Sequence, residues 1–327
     1  MFKNLLITIL VGISFVAVSV QYLHGEEYPA KPIEIFVPYG AGGSLDLGAR
    51  IIAQVAKNYL GQPLIVINRM GAGGTVAASE VLRFKPDGYK LLYYASTYFA
   101  TTIKSQNLPY DPSYFVPLIN FAEERSGLVV KGNSPWNTLG QLLDYGRQNP
   151  GKVKWNHTGR GIAPHINQLL IFRRAGVETI DVPYKSSPDQ LAAVLGGHAD
   201  ASSTIYVAAK DNIKAGNLRL LVTHSNRRYA DTSNVPCATE LGFPNPILMY
   251  HGFYIHKDTP KDIKDILFNA FKKTFEYPEF KKLAENIGME PLFGGPEFMS
   301  ESIKKAEEVG VPILKELGLY DKSWDSK

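Results

Sequence analysis

Cysteine is nearly missing from this chain: Cys237 is the single one among 327 residues. That excludes an internal disulfide and any zinc site built on several thiolates. Charge of one sign is lacking too, because 35 Lys+Arg stand against 31 Asp+Glu and leave only +4. The basic residues gather into no stripe, so the footprint of a nucleic-acid surface is absent and no nucleic-acid partner is expected. Signatures of catalysis are also missing. There is no Gly-x-Ser-x-Gly elbow or His-Glu-x-x-His pair, and Cys237 lies in Val235-Pro236-Cys237-Ala238-Thr239 without a neighbouring histidine. His157, His165, His198, His224, His251 and His256 follow no ligand spacing. The sequence therefore predicts no enzyme, no metal and no cofactor.

Long apolar runs are scarce as well. One spans Leu5 to Val20, 16 apolar or small residues without a charge, preceded by Lys3. It falls short of the roughly 20 residues a spanning helix needs, and predicts a signal peptide over residues 1–25. A cut after Ser19 satisfies the small-residue rule through Ala17 and Ser19, whereas one after Gly25 better matches the start of the folded region. An uncleaved anchor is the alternative. No cysteine lies nearby, which excludes a lipid anchor. The expected location is periplasmic or extracytoplasmic.

The chain as a whole has an ordinary globular composition, 45% hydrophobic and 20% charged. Its length favours two lobes, because single cores stop growing near about 250–300 residues. Ile33 to Val37 is a β-rich run, and Leu47, Ile51, Val55 and Tyr59 then recur every four residues, as on one face of a helix. The unit repeats: Leu64 to Ile67 as strand, Gly71 to Gly74 as loop, Thr75 to Arg83 as helix, then a third strand, Leu91 to Tyr94, running into Ser96 and Thr97. Further strands are expected at Leu128 to Val130, Val153 to Trp155, Ile180 to Val182, Ala201 to Thr204 and Leu220 to Thr223, with helices at Gln168 to Arg174 and Gln190 to Leu195. A strand around Tyr250 to Ile255 precedes three helical stretches with no strands of their own, which should pack back on the first lobe. Such alternation predicts an α/β fold in which each lobe is a mostly parallel sheet flanked by helices. The chain should cross between lobes near residues 122 to 126 and 240 to 247, giving residues 26–123 with 245–327 as lobe 1 and 124–244 as lobe 2.

In such sheets ligands bind at the carboxyl ends of the strands, where helix amino termini and free N–H groups converge. The first such loop is Tyr39-Gly40-Ala41-Gly42-Gly43-Ser44-Leu45-Asp46. Its glycines can present N–H donors to an anion, and Ser44 can cap the helix or donate to a ligand. No Gly-Lys-Ser/Thr follows, and the third glycine of a dinucleotide fingerprint is missing here and in Gly71-Ala72-Gly73-Gly74. A plain strand-to-helix turn therefore stays open for both. In the second lobe Thr158-Gly159-Arg160-Gly161 leads to His165 at a helix start, and Tyr184-Lys185-Ser186 follows the next strand. Arg160 can fork onto a carboxylate or stand solvated. His165 can face the cleft, cap the helix or sit satisfied between lobes.

These strings together resemble the periplasmic solute-binding receptors of tripartite tricarboxylate transporters, the Bug family. The likeness is carried in order by Tyr28-Pro29-Ala30-Lys31-Pro32-Ile33, by Val37 to Gly43 with Asp46 and Arg50, and by Gly61-Gln62-Pro63. It continues through Asn68-Arg69, Gly71 to Gly74, Pro86 to Tyr89, Val182 to Lys185, and Leu195-Gly196-Gly197 with Asp200. The resemblance implies a two-lobed clamp that closes on a small carboxylate and hands it to large and small membrane subunits, most simply as a monomer. Carried over, the cleft residues are Tyr39, Gly40, Ala41, Gly42, Gly43, Ser44, Asp46, Ser96, Thr97, Thr158, Gly159, Arg160, Gly161, His165, Tyr184, Lys185 and Ser186. The chain departs from the family at Arg160, Ile162 and Ala163, where small residues are usual, and at Ser202 and Ser203, near which an aromatic or acidic residue often stands. Those departures leave the ligand open. A receptor that presents its ligand to a sensor protein remains a second expectation.

Overall fold

The computed structural model describes residues 28–243 and 246–326; the expected signal peptide and the middle of the second crossing lie outside the described residues. In chain order the elements run β1 Ile33–Val37, α1 Ser44–Leu60, β2 Leu64–Asn68, α2 Thr75–Val81, β3 Lys90–Ala95, β4 Phe115–Glu124 and β5 Ser126–Lys131. They continue with α3 Leu139–Gln148, β6 Val153–His157, α4 Ala163–Arg174, β7 Thr179–Pro183, α5 Ser187–Leu195, β8 Ala201–Ile205, α6 Tyr206–Lys214 and β9 Leu218–Thr223. Last come β10 Met249–His256, α7 Lys261–Glu276, α8 Pro278–Asn286, β11 Glu290–Gly294 and α9 Pro296–Glu316.

Two sheets result, ordered β11-β4-β10-β3-β1-β2 and β7-β6-β8-β5-β9. Helices flank both, so the fold is the expected two-lobed α/β arrangement. Each sheet is mixed, with most of its strands sharing one direction as expected; β10 runs antiparallel to β3 and β4, β11 to β4, and β5 to β8 and β9. The reason is the double crossing. A strand that enters a sheet from the crossing end must run against strands that end there, and β5 and β10 are those strands.

The expectation that the carboxy-terminal helices carry no strand is corrected. β11 pairs with β4, which itself had no counterpart in the sequence reading. Both are obscured by proline, Pro117 and Pro291. Proline is tolerated where no ladder bond is needed, as on an edge strand such as β11.

The first core centres on Phe121, Phe253, Phe271 and Phe280; the Phe253 and Phe271 rings stack at 4.4 Å between centroids. The second centres on Trp155 with Phe172, Leu142 and Val153. A third buried cluster joins Ala100, Met249, Ala306 and Ile313 to Ala163 and Ile166 of α4, so an apolar seam ties the two sheets' layers together. Asn167 strengthens it by accepting from the Ile247 N–H at 2.7 Å and donating to the Ile247 carbonyl at 3.0 Å.

Candidate functional site

The topology decides which strand ends face each other. β4 passes into β5 through Arg125 alone, so the end of the first sheet at Glu124 abuts the end of the second at Ser126. On the first sheet that end collects the carboxyl ends of β1, β2, β3 and β4 and the start of β10. On the second it collects the carboxyl ends of β6, β7, β8 and β9 and the start of β5. Every residue singled out from the sequence lies in a loop or helix start at one of these ends. Tyr39 to Asp46 follow β1, Ser96 and Thr97 follow β3, Thr158 to His165 follow β6, and Tyr184 to Ser186 follow β7.

Their side chains are not equally free. Asp46 is buried; it accepts from the Gly42 N–H at 2.8 Å, from Arg50 Nε at 3.0 Å and from Asn68 Nδ2 at 3.0 Å. Burial pushes its pKa up, but the Arg50, Gly42 and Asn68 hydrogen bonds prevail and hold it below the usual carboxylate range. Asp46 thus folds the glycine loop back on α1. Ser44 Oγ donates to Glu124 Oε1 at 2.6 Å, and His251 Nε2 lies 3.1 Å from Oε2. Ser96 Oγ accepts from the Tyr250 N–H at 3.2 Å, and the Thr97 carbonyl accepts from Thr101. Tyr39, 48% exposed, sets its ring edge-on to Tyr94, with the two hydroxyls 3.3 Å apart.

Across the divide, Arg160 forks onto Asp181, Nε to Oδ2 at 2.8 Å and a terminal nitrogen to Oδ1 at 3.2 Å, while remaining 53% exposed. The same Oδ2 lies 3.0 Å from His157 Nε2. Burial opposes charge on Asp181, but Arg160 and His157 keep its pKa low. The Gly159 N–H donates to His157 Nδ1 at 3.1 Å and the Gly161 N–H to His165 Nδ1 at 3.2 Å. Ser186 caps α5, accepting from the Asp189 N–H at 3.3 Å. Ser186→Ala should lower stability by about 1 kcal/mol in urea titration; a loss near zero would mean the cap is idle.

Among the described residues, His157, His165 and Asp181 bring three ligand atoms within 4.8 Å of one another. A metal held by a ring nitrogen wants the other nitrogen protonated and donating. Here both Nδ1 atoms accept backbone N–H groups, so the protons sit on the Nε2 atoms that would face the ion. The trio is a hydrogen-bonded support for Arg160, and its donor set does not fit a metal.

All three buried histidines of this lobe favour the neutral form. Burial, then the neighbouring His157, drives His165 down to about 4; burial drives His224 to about 3 and also lowers His157. A histidine whose pKa is lowered on folding stabilises the fold above its unfolded value, near 6.5, and loses that contribution as pH falls toward the folded one. Stability should therefore decline between about pH 6.5 and about pH 4, before the lowered carboxylates begin to protonate. Urea titrations from pH 7.5 to 4 test this, and His165→Gln should flatten the slope. A flat wild-type profile across that interval would contradict the neutral-histidine arrangement.

The sequence reading passed over Glu124, His251 and Asp181. Asp181 carried a usable signal, a lone acid within the apolar strand Ile180 to Val182, on the strand that follows the loop and helix after Arg160. Glu123-Glu124-Arg125 carried another, a charged triplet between two buried strands. There Glu123, itself buried, accepts from Arg227 at 2.8 Å and from the Tyr229 hydroxyl at 2.6 Å. Arg125 pairs with Asp231 and lies 4.0 Å over the Tyr206 ring.

Known proteins resemble this chain over most of its length. The tripartite tricarboxylate transporter family receptor pattern (TctC) matches residues 48–319. The UPF0065 protein in the gbd 5' region of Cupriavidus necator is 32% identical over 90% of each chain. The solved structure of Rpa4515 from R. palustris with adipate superposes with a TM-score of 0.79 at 26% identity, covering 89% of this chain and 99% of that one. MatC from Rhodopseudomonas palustris with bound malate gives 0.71 at 25% identity, covering 86% and 99%. This chain belongs to the tripartite tricarboxylate transporter receptor family.

Proposed function

We propose that the protein is an extracytoplasmic receptor that captures a small carboxylate between the facing ends of its two sheets and delivers it to the membrane subunits of a tripartite transporter. The observation that carries this reading is the convergence of the Tyr39–Ser44, Ser96–Thr97, Thr158–His165 and Tyr184–Ser186 segments on those ends, with α1 and α4 starting there. Helix amino termini supply the N–H groups and partial positive charge that an anion needs. The adipate and malate held by the two Rhodopseudomonas proteins support the same ligand class here. Residues 1–25 act as the export signal, residues 26–123 with 245–327 and residues 124–244 form the two lobes, and the ligand leaves chemically unchanged.

A thermal-shift screen against mono-, di-, tri- and amino-carboxylates tests the reading. A member at one hundred times its dissociation constant should add about 2.7 kcal/mol to stability. If amines or neutral sugars raise the melting temperature while no carboxylate does, the reading is wrong.

A further inference from the structure

Resting on that reading, we propose that Arg227 is a positioning residue of the clamp: with Tyr229 it locks the side of the hinge that lies away from the cleft, holds the cleft open, and thereby lowers ligand affinity. The sheet orders put it there. In β11-β4-β10-β3-β1-β2 and β7-β6-β8-β5-β9 the pivot is β4 running into β5, and the strands whose ends carry the cleft segments, β1, β3, β6 and β7, all lie on one side of it. β11 and β9 lie on the other.

On that far side, elements of the second sheet grip elements of the first. Glu123, wholly buried near the end of β4, accepts from Arg227 Nη1 on Oε2 at 2.8 Å and from the Tyr229 hydroxyl on Oε1 at 2.6 Å, and both donors belong to the segment after β9. β11 sets Glu290 opposite Glu123, with its Oε1 3.6 Å from Arg227 Nη2. Lys210 of α6 donates to the Asn286 carbonyl at the end of α8 at 3.0 Å. Arg125, the residue joining β4 to β5, stiffens the mount. It forks onto Asp231, with Nη2 at 3.1 Å from Oδ2, and its guanidinium lies 4.0 Å over the Tyr206 ring and 4.8 Å over that of Tyr229. The cleft segments, by contrast, are bonded to elements of their own sheet, Ser44 to Glu124 and Arg160 to Asp181.

Contacts on opposite sides of a pivot compete. A rotation that brings the ends of β1 and β6 together draws the β11 edge away from the segment after β9, so closure must pull two donors off a buried carboxylate. That cost falls on the closed state alone. A ligand that needs the closed state then binds more weakly, in proportion to the fraction of molecules able to adopt it.

Small-angle scattering of the ligand-free protein, with calorimetric titration of malate and adipate, tests this. Arg227→Ala and Tyr229→Phe should each give a smaller ligand-free radius of gyration than the unmodified protein, and tighter binding of whichever acid that protein binds. For Arg227→Ala the gain should be about three- to thirtyfold, below the full scale of a charge-assisted hydrogen bond because Arg227 is 41% exposed. Arg227→Lys, which keeps a cation, should return most of the unmodified affinity. A lower melting temperature with unchanged radius and affinity would make these contacts structural only and overturns the proposal, as does a larger radius or weaker binding. Tyr229→Phe removes one neutral donor and decides the matter if the alanine variant fails to fold. If neither acid binds, the ligand-free radius still decides the lock, while the receptor reading stands or falls on the wider carboxylate panel.

Discussion

Replacing Trp155 with alanine should cost about 3–5 kcal/mol of folding stability, the range for deleting a large buried aromatic side chain. Trp155 is fully buried in β6, stacks on His165 with ring centroids 5.6 Å apart and 17° between planes, and packs against Phe172. Its indole N–H donates to Thr179 Oγ1 at 3.0 Å, linking β6 to β7. The substitution reaches the cleft as well, because water admitted beside His165 removes the burial that depresses its pKa. The acid decline in stability should become shallower in the same variant. Urea titration at two pH values measures both effects. A loss below about 1 kcal/mol would show that the second core does not rest on this side chain.

Gly74→Val should be nearly as damaging, and through a different cause. Gly74 has φ +100°, and a Cβ there would lie 2.5 Å from Tyr94 Cε1 and 2.6 Å from its hydroxyl. The left-handed backbone costs a branched residue about 1–2 kcal/mol, and forcing the ring aside adds about 1–3 kcal/mol. Tyr94 cannot yield freely, since its hydroxyl donates to the Gly73 carbonyl at 2.6 Å and meets Tyr39. The valine variant should therefore lose both stability and carboxylate affinity, whereas Gly42→Ala, with open space around its Cβ but φ +84°, should pay only the backbone strain. Equal melting temperatures for the two variants would contradict the close approach of Tyr94.

Much of this architecture is written in the sequence at short range. Ile33 to Val37 and Leu47 to Tyr59 declare strand and helix by period, and Gly61 stops α1 in the left-handed conformation with its N–H on the Lys57 carbonyl. The loops at the strand ends follow from those periods. What local pattern does not carry is partnership across distance. Arg160 looks open to a ligand until β7 is known to set Asp181 beside it, 21 positions away. Ser44 looks like a donor to the ligand until β4 brings Glu124 to it across 80 positions. β11 stayed hidden because five residues with an internal proline show no period, and only pairing with β4 makes them a strand.

Capture between the two sheets is tested most directly by hydrogen exchange of the backbone amides with and without the tightest binder of the carboxylate panel. The account predicts slowed exchange in the same sample at residues 39–46 and 96–97 of the first lobe and at 158–165 and 184–187 of the second. Protection confined to one lobe, or lying away from all four segments, would contradict a ligand held between them.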